Sequence, residues 1–192
     1  MNKKILFAIL FATATMFSVS AQKFKPSPQF LKGEKQINVI FDFDGVTIDK
    51  RQTEENFVKE RMADQKTKED AEEWKAKWYG EGRDGFKQIF IKYCNDELTN
   101  VVIGNYPNAE YTINVKIIDI DPGSFAGPFS NPAKLRAKFD IVKTNNNSSL
   151  AFIELKDIYN PAILSPLVML RIEGGFGELG KELAKKINKE LK

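Results

Sequence analysis

Read from Ile37 onward, apolar and polar positions first alternate in twos. Ile37, Val39, Phe41 and Phe43 stand against Asn38, Ile40, Asp42 and Asp44, which predicts a strand with one buried face. The period then lengthens. Residues 49–80 are densely charged and read as an exposed loop or frayed helix, followed by a short helix near 68–79 with Trp74 and Trp78 one turn apart. In 84–99 the stripe Phe86, Ile89, Phe90, Tyr93, Cys94 and Leu98 recurs at three and four, which predicts an amphipathic helix. Period two returns in a short strand at 101–103, then in 110–119, 133–143 and 150–158. The last two strands are joined by Thr144-Asn145-Asn146-Asn147-Ser148-Ser149, a run of turn formers that signals a hairpin. Residues 159–173, with Pro161 and Pro166, read as an irregular connection, and Gly174-Gly175 as its punctuation. The final pattern, 176–191, is a helix whose stripe is Phe176, Leu179, Leu183, Ile187 and Leu191, with Gly180 and Ala184 on the same side.

This order predicts an α+β fold: a two-layer sandwich, a mainly antiparallel sheet covered by the 84–99 and 176–191 helices. The uncovered sheet face, carrying Thr112, Asn114, Lys116, Arg136 and Lys138, is expected to be solvated or used for association. Before the first strand, residues 22–36 are polar with two prolines and read as an extended arm, so the domain proper is 37–192.

The N-terminus carries a different pattern. Lys3 and Lys4 precede an apolar run from Ile5 to Phe17, and Ser18-Val19-Ser20-Ala21 supplies the small residues of a cleavage site. Residues 1–21 are therefore expected to be a removable export signal, with the mature chain starting at Gln22 in the periplasm or outside the cell. The run is short for a bilayer span, and no cysteine follows the cleavage point to carry a lipid anchor. With the signal removed, 27 basic residues face 26 acidic ones, which leaves no charge footprint for nucleic acid or a membrane surface. Cys94 is the single cysteine, so the chain has no intramolecular disulfide, and its place on an apolar stripe reads as core rather than reactive thiol. Histidine is absent, which removes Ser-His and Cys-His pairs and most zinc sites.

Chemistry would thus fall to carboxylates. Val39-Ile40-Phe41-Asp42-Phe43-Asp44-Gly45-Val46-Thr47-Ile48 resembles the first motif of haloacid-dehalogenase-like phosphohydrolases. That resemblance implies Asp42 as phosphoryl-accepting nucleophile and Asp44 as general acid/base beside a magnesium ion. It covers about ten residues. The strand at 101–103 is followed by Gly104 where the family has Ser or Thr, and Lys116 shares a strand with Asp119 and Asp121 where the family's lysine stands apart from its acids. Separately, Asp42/Asp44 and Asp119/Asp121 form two D-x-D pairs, which on neighbouring strands could hold calcium or magnesium; each pair equally suits a turn, as in Asp121-Pro122-Gly123. In the loop 123–132, Phe125 and Phe129 either dock a partner or staple the loop to the core.

Over its whole length the chain resembles a group of small exported proteins of Bacteroidetes. The residues that carry this are Ser20-Ala21-Gln22, Phe30-Leu31-Lys32-Gly33-Glu34-Lys35, Tyr106-Pro107-Asn108-Ala109-Glu110-Tyr111-Thr112-Ile113, Asp119-Ile120-Asp121-Pro122-Gly123 and the glycine-rich opening of the lysine-rich final helix. The element order also looks like the small α/β sandwich of periplasmic envelope-assembly proteins. Together these resemblances imply an exported, envelope-associated binding or accessory protein with a protein or envelope partner and no cofactor. The alternative is a magnesium-dependent phosphohydrolase using Asp42 and Asp44.

Overall fold

The computed structural model describes residues 22–192, so the expected signal segment lies outside the described residues. Strand β1 is Gln36–Asp42, followed by the short β2, Thr47–Ile48, and β3, Gln52–Thr53. Helices α1 (Glu54–Ala63) and α2 (Lys68–Lys77) come next, and a π-helical turn at Trp78–Gly82 leads into α3, Arg83–Glu97. Strands β4 (Val102–Gly104), β5 (Tyr111–Asp121), β6 (Lys134–Lys143) and β7 (Ser149–Tyr159) precede the terminal helix α4, Val168–Leu191.

The strands form one sheet and the helices cover one of its faces, the α+β sandwich that the periodicity predicts. β5, β6 and β7 are an antiparallel meander, with Ile113 opposite Ile141 and Phe139 opposite Ile153. On its other edge β5 pairs in parallel with β1 and, beyond a break at 43–46, with β2; β1 in turn pairs in parallel with β4. The sheet is thus antiparallel over its longer pairings and parallel along one side. Alternation reports which face of a strand is buried but not which way its neighbour runs, and β1, with Ile37 inward and Ile40 outward, alternates although both its partners are parallel.

Core and helical layer meet through aromatic contacts. Phe90 of α3 packs edge-on against Phe41 at 5.2 Å and stacks on Phe139 at 6.1 Å, while Phe86 stacks on Phe176 of α4 at 5.0 Å. Trp74 and Trp78 stack at 5.6 Å, as their spacing predicts, and close over Phe57. Cys94 is fully buried, and burial pushes its thiol pKa up, so it serves as a core residue.

Three segments differ from the sequence reading. α4 begins at Val168, so Gly174 and Gly175 lie inside the helix rather than before it. A side chain at Gly174 would sit 2.8 Å from Ile163, and one at Gly175 3.2 Å from Leu135; these glycines allow close approach, and tertiary packing outweighs their weak helix propensity. The charged stretch after 53 holds an ordered helix, α1, capped by the Thr53 hydroxyl, which accepts a hydrogen bond from the Asn56 amide, with Glu54 and Glu55 in its first turn. Only Phe57 and Val58 of α1 are buried, too few to make a stripe visible. The arm of residues 22–36 is packed: Phe24 and Leu31 are buried, and Lys25 exchanges both backbone hydrogen bonds with Phe152 on β7.

The open sheet face is partly as expected. Lys116 and Lys138 are exposed, and so are Ile40 (52%) and Phe152 (54%). Thr112 is buried instead, in a network with Asn38 and Thr144; Asn38 also accepts the Tyr106 amide through Oδ1. A polar side chain that finds all its partners within the fold has no need of solvent.

Candidate functional site

Three of the four paired carboxylates, Asp42, Asp119 and Asp121, accept hydrogen bonds within the fold, and the fourth, Asp44, is exposed. Asp42 ends β1 opposite Lys116 of β5. Its Oδ2 accepts from Lys116 Nζ at 2.9 Å and its Oδ1 from the Asp44 amide at 2.7 Å. The Lys116 hydrogen bond, and then the Asp44 amide, hold the Asp42 carboxyl below the usual carboxylate range. Asp44 is exposed in the turn completed by Gly45, whose φ of 72° suits glycine. D-F-D-G is therefore a break between two strand segments that both run along β5, with sheet continuing beyond it.

Asp119 is buried, and its Oδ1 accepts from the Thr47 hydroxyl and, at 2.8 Å, from the Lys50 amide, fastening β2 and its turn to β5. Asp121 accepts the Gly123 amide at 2.9 Å and opens the turn that Asp121-Pro122-Gly123 suggests. Among the described residues no group of three or more Asp, Glu, His or Cys side chains is arranged to hold a metal ion. Phe125 and Phe129 are exposed, at 49% and 81%, and do not staple their loop to the core.

A cavity of about 520 Å³ lies beyond the C-terminal end of β5, walled by Arg61, Asp49, Asp121, Lys134 and the 122–124 loop. Of its charges, Asp49 pairs with Arg51 at 2.7 Å, Arg61 with Asp64 at 3.1 Å, and Asp121 accepts the Gly123 amide.

A second cavity, of about 360 Å³, lies between α3, α4 and the strap of residues 160–165. Ile89 and Tyr93 come from α3, Leu170, Glu173, Gly174 and Gly177 from α4, and Ile163 and Leu164 from the strap. Gly174 admits Ile163 close to the helix axis. Arg171, one turn before Gly174, passes under the strap: its Nε donates to the Pro122 carbonyl at 2.9 Å, and its terminal nitrogens donate to the carbonyls of Ser165 and Gly123. The strap is thereby pinned from below.

Glu173 is the one carboxylate in this wall, and no cation of the described residues lies within ion-pair distance of it. Burial raises its pKa, with no neighbouring charge opposing the shift. Because the folded pKa lies above the unfolded one, stability falls as pH rises from the unfolded value through the folded value, and the loss is complete above it. A signal for this site exists in the sequence: between Pro161 and Phe176 only Arg171 and Glu173 are charged. Charged residues in so apolar a run need a partner or a purpose.

No family model matches the chain, and no curated protein matches it. Among solved structures it is similar to the PelC dodecamer from Paraburkholderia phytofirmans, at 8% identity over 79% of this chain and 87% of that chain, with a TM-score of 0.39. A single-substitution form of the same dodecamer is similar at 9% identity over 84% and 90%, with a TM-score of 0.36.

Proposed function

We propose that the protein is an exported, envelope-associated binding or accessory protein that carries out no chemistry of its own. The observation that carries this reading is the cavity between α3, α4 and the strap, whose largely apolar wall also holds Asn160, Ser165 and a single carboxylate without an ion-pair partner. Such a site selects a ligand by shape and a few polar contacts. Export rests on the basic, apolar and small-residue succession of residues 1–21. No helix of the described residues is long and apolar enough to cross a membrane. The partner is a small ligand or a protein of the envelope, and the reading needs neither magnesium nor calcium.

The competing reading is the magnesium-dependent phosphohydrolase of Asp42 and Asp44. A nucleophilic carboxylate needs to face its phosphate, whereas Asp42 faces Lys116 and the Asp44 amide on an open sheet surface. Hydrolysis of a generic aryl phosphate with magnesium, measured for residues 22–192 and for Asp42→Asn, separates the two. Neither protein should turn the substrate over. Turnover by the parent chain that vanishes in Asp42→Asn would establish the hydrolase and end the non-catalytic reading.

A further inference from the structure

We propose that the cavity between α3, α4 and the 160–165 strap binds a small amphipathic ammonium ion, its alkyl or aryl body against Ile89, Leu164 and Leu170 and its nitrogen on the Glu173 carboxylate. The inference deepens the binding reading and rests on it. Charge complementarity makes the choice. The strap contributes no charged side chain. On α3, Lys92 is held by Asp96 at 2.6 Å; on α4, Lys181 pairs with Glu178 at 3.8 Å, and Arg171 is turned to backbone carbonyls. Glu173 is left as the unanswered charge of the site.

A carboxylate among apolar walls favours a ligand that brings the missing cation and carries hydrocarbon behind it. An anionic ligand would meet Glu173 as a like charge. A bare divalent cation would find one carboxylate where it needs several oxygen ligands. At about 360 Å³ the space lies in the range of small-molecule sites and holds a chain of several carbons with its head group. The Tyr93 ring, also in the wall, already carries the ammonium groups of Lys181 and Lys92 at 4.8 and 4.9 Å from its centroid, so the ligand nitrogen belongs on Glu173 and not on that ring.

The test is calorimetric titration of residues 22–192 at neutral pH with n-octylammonium, n-octanol and octanoate, which share a tail and differ in head group. Octylammonium should bind about tenfold more tightly than octanol, as a charge-assisted contact at a partly buried carboxylate implies, and octanoate most weakly. Glu173→Gln should abolish the preference for ammonium while leaving octanol unchanged. Ala162→Trp, at an exposed strap position that the core does not depend on, should weaken all three by blocking the space. Melting curves confirm that each variant is folded. Equal affinity for the three probes, no saturable binding of any, or an ammonium preference that survives Glu173→Gln would overturn the proposal. The two readings fail separately: an unoccupied cavity removes this ligand, whereas only Asp42-dependent turnover removes the non-catalytic reading.

Discussion

Gly180→Ala should destabilise the protein by about 3 kcal/mol, near the upper end of what overpacking costs. Gly180 lies on α4 where it crosses α3. A methyl group there would stand 2.4 Å from the Phe90 carbonyl oxygen and 3.1 Å from the Cys94 amide nitrogen. Both obstacles are backbone, which cannot swing aside as a side chain does. The helices would have to part, and behind them Phe86 and Phe176 would lose the stacking contact at 5.0 Å. Alanine is the better helix former by about 1 kcal/mol, so intrinsic propensity alone would favour the substitution. The clash decides the sign. For a domain of this size the loss corresponds to a fall in Tm of about 6–12 °C. Gly177→Ala is the matched control: its added methyl meets the Tyr93 ring at 3.5 Å, an ordinary contact, and should leave Tm unchanged or slightly raised. Thermal melts followed by circular dichroism check both, and a Gly180→Ala protein that melts like the parent would mean that the helices do not pack this closely.

Arg171→Met should cost a similar amount, about 3 kcal/mol. The guanidinium is buried, and its partners are the carbonyls of Pro122, Ser165 and Gly123 rather than a carboxylate. Burial, and then the nearby charge of Arg61, pull its pKa below that of a free arginine. What the residue contributes is a rigid fork of donors tying the 122–123 turn and the strap to α4. Methionine matches its length but leaves those carbonyls without their donor. Chemical denaturation should show the loss, and amide exchange should rise at Ser124 and Leu167 beyond the rise elsewhere. Arg171→Lys should recover only part of the stability, because a single ammonium cannot span three acceptors. Uniform exchange across the domain would instead mark Arg171 as an ordinary buried side chain.

Much of this architecture is legible in the sequence where burial is one-sided. β5, β6 and β7 appear as clean alternations, the polar run after Lys143 marks their hairpin, and the α3 stripe places Cys94 in the core. Legibility fails where a contact distant in sequence sets the local structure. Gly174 and Gly175 look like punctuation until Ile163 and Leu135 are seen against them. α1 carries two buried side chains among charges, so its period is lost, and only its Thr53 cap and early glutamates announce it. The acid pairs illustrate the same limit. Asp42 and Asp44 invite a catalytic reading because the sequence does not show that Lys116 lies across the strand from Asp42. Glu173, by contrast, could have been singled out as one of two charges in an apolar run, but its run reads as a connection rather than as a helix facing a cavity.

Whether Glu173 is an uncompensated carboxylate in the wall of a binding cavity is decided by a carbon-13 titration of its side-chain carboxyl by NMR. The midpoint should lie above the usual glutamate value of about 4.3 and shift downward when an ammonium ligand is added. A midpoint at or below that value in the free protein would contradict it, because it would mean that a cation or hydrogen-bond donor already satisfies the group.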